Sequence, residues 1–156
     1  MVAAYPVNDY LRQAYIGDEL LNMGDIFNDP KGIVHVHGFL EQERYDWIVN
    51  ELEKGQTEGK LMIIAAHVPI PLIGLYSTSP ASISSAKLVA KLHTYPNLIM
   101  WASGHRHRNV ITPMKSPDAD HPELGFWEIE TASLKDFPQQ FRMFDIVRNS
   151  DKTVSI

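Results

Sequence analysis

Three histidines occupy positions from which side chains can do chemistry. His67 directly follows the apolar run Leu61–Ala66. His105 and His107 follow a second apolar run, Leu98–Ala102, inside the tetrapeptide Gly104-His105-Arg106-His107. Short apolar runs of this kind read as strands buried in a sheet, and ligands of open α/β sheets bind beyond the carboxyl ends of such strands. If the two runs are neighbouring strands, three imidazoles meet in one crevice. Neutral imidazole is a good ligand for zinc, iron and other first-row metals. The chemistry on offer is therefore metal binding, with His67, His105 and His107 as candidate ligands. Gly104 would permit a sharp turn with the backbone close to the ion. Each histidine taken singly also fits a hydrogen-bonded core residue or a solvent-facing one; the argument for a metal rests on the three together.

Other candidates carry less. His35 and His37 would share one face of an extended segment, as a metal pair or an exposed loop edge. Asp118, Asp120 and His121 lie in a proline-flanked loop and read as a solvated turn. His93 falls at a helix end, where a cation suits the dipole. Trp47 and Trp127 read as core aromatics rather than substrate platforms. Ser79, Ser82, Ser84 and Ser85 suit a loop and helix start, and no Gly-x-Ser-x-Gly elbow occurs. The chain has no cysteine, which excludes disulfides, a cysteine nucleophile and cysteine-based zinc sites.

The elements that must position these residues can be read from spacing. Glu41–Lys54 predicts a helix, with Tyr45, Ile48, Val49 and Leu52 on one face and Gly55 as its terminator. Leu61–Ala66 predicts a strand covered on both faces. Ser82–His93 predicts a second helix that buries Leu88, Val89 and Leu92, and Leu98–Ala102 a second buried strand after the Pro96-Asn97 break. This alternation argues for an α/β sheet. Beyond it, Gly125–Ser133 alternates, with Phe126, Glu128 and Glu130 opposed to Trp127, Ile129 and Thr131. Phe141–Val147 also reads as extended, and Thr153–Ile156 as a short strand after the turn Asn149-Ser150-Asp151. These later strands suggest an antiparallel sheet or hairpins. Upstream, Leu11–Leu21 reads as a short helix and Ile33–Leu40 as the start of a short strand.

At 156 residues the chain suffices for a single domain, 1–156, with one core. A formal net charge of −5 without any Lys/Arg cluster speaks against binding a nucleic-acid backbone, and no polybasic membrane anchor is present. The most apolar stretch, Leu61–Tyr76, contains His67, Pro69 and Pro71 and is shorter than the roughly 18 residues of a spanning helix. Met1–Tyr10 lacks the basic start and apolar run of a signal peptide; this makes the cytoplasm the default, but a default that fails for a fragment, so the compartment stays unknown.

Several segments together resemble the calcineurin-like metallophosphoesterases. Ala65-Ala66-His67-Val68-Pro69 is similar to that family's late His-x-Pro metal motif, and Gly104-His105-Arg106-His107 to its closing Gly-His-x-His motif. Gly38-Phe39-Leu40, with Gln42, Trp47-Ile48-Val49 and Leu52, resembles the segment leading into the helix before the His motif. Gly125-Phe126-Trp127-Glu128-Ile129 through Phe137-Pro138-Gln139-Gln140-Phe141 resembles one bacterial subgroup. The resemblance covers about residues 32–156. It implies a four-layer α/β/β/α sandwich with mixed sheets, and a site where two divalent metals, zinc, iron or manganese, activate a water that attacks phosphorus in a small phosphoester. On that implication His67 and His105 bind one metal and His107 the other.

The family's first half carries Asp-x-His, Gly-Asp and Gly-Asn-His motifs. This chain has no Asp-x-His and no Asn-His, and its pairs Gly17-Asp18 and Gly24-Asp25 follow no buried strand. The bridging aspartate and the remaining ligands thus have no counterpart, and the chain reads as the C-terminal part of a longer domain. Two rival readings are a non-catalytic module that binds one metal weakly or none, and a mononuclear histidine-ligand enzyme. A domain lacking its first half is expected to expose an apolar sheet face and to self-associate through it.

Overall fold

The computed structural model describes residues 39–74, 80–135, 137 and 139–156. The expected helix Leu11–Leu21, the expected strand start at Ile33, the pair His35 and His37, and Ser79 lie outside the described residues.

Helix α1 spans Gln42–Thr57. Ile48 and Leu52 are buried one turn apart, and Tyr45 and Val49 flank them half-buried. Burying each aliphatic side chain contributes roughly 1.5–3 kcal/mol. The helix runs past Gly55, the expected terminator. Gly55 is a packing position instead, where a side chain would strike the Met62 sulfur. The left-handed residue beyond the helix end is Gly59, at φ +65°. Helix α2, Ser85–Leu92, starts where the Ser84 hydroxyl accepts the Lys87 N–H at 3.2 Å. It buries Leu88 and Leu92 fully and Val89 in part.

Four strands form one mixed sheet: β1 (Met62–Ala65), β2 (Leu98–Ser103), β3 (Val110–Met114) and β4 (Phe126–Glu130), in the order β1-β2-β4-β3. β1 and β2 pair in parallel, as do β2 and β4, while β3 runs antiparallel to β4. The strand expected from the alternation at 125–133 therefore joins the central sheet, parallel to β2, rather than only forming hairpins. β3 had no clear signal in the sequence because Pro113 interrupts it. As an edge strand it tolerates a residue that cannot donate to a ladder. Val147–Arg148 (β5) and Val154–Ser155 (β6) make the small expected hairpin. Phe141–Ile146, read as extended, belongs to no described strand.

Strand alternation assigns the two sheet faces. Ile64, Trp101 and Glu128 are register partners on the first face, together with Phe126. That face shares a core cluster with Ile48 and Leu52 of α1 and with Leu88 and Leu92 of α2, so both helices cover the same side. The second face holds the rows Ile63–Met100–Trp127–Pro113 and Ala65–Ala102–Ile129–Ile111. Met100 and Ile129 are buried there, but Ile63 (41%), Trp127 (43%) and Ile111 (55%) stay exposed. The Arg142–Asp145 segment and Ile156 line a cavity of about 480 Å³ with Ile111, Trp127 and Ile129. The expectation that β1 is covered on both faces is thus corrected, because no described helix lies over the second one. Trp47 and Trp127 are likewise half-exposed rather than core aromatics. Among the described residues no helix is long and apolar enough to cross a membrane.

Candidate metal centre at the carboxyl ends of β1 and β2

The parallel ladder between β1 and β2 continues past both strands. The Ala66 N–H donates to the Ala102 carbonyl at 2.9 Å, and the Gly104 N–H to the His67 carbonyl at 3.0 Å. This registers the residue after one strand against the turn after the other. It sets His67 Nε2 at 2.9 Å from His105 Nδ1, with the ring centroids 4.9 Å apart and the planes nearly perpendicular. Two of the three sequence-predicted ligands therefore meet, at the strand ends where the sequence placed them. His107 lies two residues further along the same turn and is exposed. Among the described residues no group of three or more His, Asp or Glu side chains is gathered closely enough to hold an ion.

The turn is built differently from the expectation that Gly104 supplies its freedom. The left-handed residues are His105 (φ 75°) and His107 (φ 52°). Such a backbone conformation costs on the order of 1–3 kcal/mol per non-glycine residue and persists where the surroundings over-determine it. Arg106, between the two, is tethered to β4. Its Nε lies 2.9 and 3.0 Å from the two oxygens of Glu130, and its Nη2 is 2.5 Å from Oε2. Arg108 adds a further contact to Oε2 at 3.3 Å. Glu130 itself is 1% exposed.

The loop carrying His67 is fixed in the same way. The Trp101 indole N–H donates to the Val68 carbonyl at 3.2 Å, and the Ile70 N–H donates to Glu128 Oε1 at 2.7 Å. Glu128 is buried too. The sequence assigned no role to Glu128 or Glu130. The available signal was two carboxylates at alternate positions on the inward face of an otherwise apolar strand, where a charge is costly unless something pairs with it.

The two carboxyls differ electrostatically. Burial pushes Glu128 above the usual carboxylate range and Glu130 adds to this, outweighing the Ile70 N–H and the Arg106 charge. Burial also pushes Glu130 up, but the hydrogen bonds and charges of Arg106 and Arg108 outweigh it and hold that carboxyl below its ordinary value. A carboxyl raised on folding contributes stability below its unfolded value, near 4.5, and loses it as pH rises through the folded value. Glu128→Gln mimics the neutral form. Thermal melts across pH should show the variant matching wild type in acid and becoming the more stable of the two as pH rises above about 4.5. A constant gap at every pH would contradict this.

No protein-family model matches the chain, and no curated protein matches it.

The donor set fits part of one metal's shell. Zinc–imidazole bonds of about 2.0–2.1 Å place two tetrahedral ligand nitrogens about 3.3 Å apart. Their present separation of 2.9 Å needs an opening of only a few tenths of an ångström. What the pair lacks, among the described residues, is the oxygen-rich remainder that a two-metal centre would require.

Proposed function

We propose that the chain supplies the histidine half of a metal-dependent phosphoesterase site, within the C-terminal part of a calcineurin-like metallophosphoesterase domain. The observation that carries the reading is the His67–His105 contact at the carboxyl ends of two adjacent parallel strands. His67 and His105 would ligate one divalent cation, and His107 a second. Zinc, iron and manganese all suit imidazole. When bound, the metals would lower the pKa of a water and neutralise charge on the phosphoryl oxygens of a small phosphoester. The chain's own residues hold the two imidazoles side by side, with one nitrogen of each ring in contact with the other. The exposure of Ile63, Trp127 and Ile111 on the second sheet face supports the finer fold reading, because the second sheet of an α/β/β/α sandwich would pack against them.

This division of labour sets an expected result. With added manganese, the isolated chain should show little or no hydrolysis of nitrophenyl phosphate or its bis-ester, since imidazoles alone do not make the two-metal clamp. Robust turnover abolished by His105→Ala would mean that the 156 residues already hold a complete site. The proposal of a divided site would then be wrong.

A further inference from the structure

We infer that Glu128 and Glu130, the two buried glutamates of β4, are positioning residues that set the geometry of the histidine pair. The inference rests on the metal-site reading for its purpose, but its geometry stands apart from any metal. The two carboxylates are two residues apart on the same face of β4, the strand next to β2. Each is bound to a different half of the site: Glu128 to the loop of His67 through the Ile70 N–H, and Glu130 to the turn of His105 through Arg106. Stability alone does not account for the Glu130 pair. A buried ion pair commonly contributes no more than apolar residues of the same volume would. The Glu130 pair clamps the one residue that separates two strained histidines, and without it the turn would be free to relax to ordinary φ values. Partners that orient imidazole ligands typically change metal affinity by about 10–100-fold when removed.

The test reads ring geometry directly. In protein with ¹⁵N-labelled histidine, the His67 Nε2 to His105 Nδ1 hydrogen bond should give a measurable nitrogen–nitrogen coupling in wild type without metal. Arg106→Lys keeps the charge but loses the two-pronged bond, and Glu130→Gln keeps the shape but loses the charge. Both should abolish the coupling while the circular dichroism of the fold is retained. Glu128→Ala should abolish it as well, whereas Glu128→Gln should keep it because the amide oxygen still accepts from Ile70. Should Glu130→Gln fail to fold, Arg106→Lys decides. Persistence of the coupling in folded Arg106→Lys and Glu128→Ala would overturn the inference, as would its absence from wild type. Cobalt titration of the same proteins separates the two claims. If wild type shows the coupling and the variants lose it, yet wild type binds no cobalt, the positioning role stands and the metal reading falls. If wild type binds cobalt and the variants keep both coupling and affinity, the metal reading stands and the positioning role falls.

Discussion

Replacing Arg106 by alanine is expected to cost about 3 kcal/mol, because it leaves Glu130 as a buried carboxylate with its principal partner gone. Arg108 lies at 3.3 Å and is about half-exposed, so it compensates in part and keeps the loss at the lower end of the range for broken buried pairs. For a chain of this length the melting temperature should fall by about 10 °C. The double variant Arg106→Leu with Glu130→Leu should regain most of this loss, since removing both charges also removes the cost of burying them. Chemical denaturation of the two proteins provides the check. A single-variant loss under about 1 kcal/mol would mean that the carboxylate is solvated or protonated rather than paired.

The second large effect concerns association. The second sheet face presents Ile63, Trp127 and Ile111 to solvent, and among the described residues β1 has no strand on its outer side. Trp47 and Leu61–Ile64 border a groove of about 320 Å³ along that edge. Open apolar faces and unpaired edges both drive self-association. Light scattering at micromolar concentration should therefore give a mass well above the 17.7 kDa of one chain. Ile63→Lys combined with Trp127→Lys should return the mass toward that of a monomer without unfolding the first-face core, because both side chains point away from it. A wild-type chain that stays monomeric at high concentration would show that this face is covered by other means.

Much of the helical and parallel-strand scaffold was legible because burial writes a period into the sequence. Ile48 and Leu52 mark α1, Leu88 and Leu92 mark α2, and the apolar runs mark β1 and β2. The positions of His67 and His105 followed from those runs. What was not legible depended on neighbours that sequence spacing does not name. A continuous apolar run cannot distinguish a strand covered on both faces from one whose second face awaits a partner, so Ile63 read as core. β3 was hidden by Pro113, whose tolerance at an edge depends on its place in the sheet. Gly104 drew attention as the flexible residue, yet the left-handed conformations fall on His105 and His107. The reason, a bidentate clamp on Arg106 from Glu130, spans 24 residues of sequence.

The most direct test of the central claim is calorimetric titration of zinc into wild type and into His67→Ala, His105→Ala and His107→Ala. The account predicts that wild type binds one ion through His67 and His105, that either of those two variants loses this binding, and that His107→Ala retains it. Wild type that takes up no zinc, or binding that survives the loss of both His67 and His105, would contradict it.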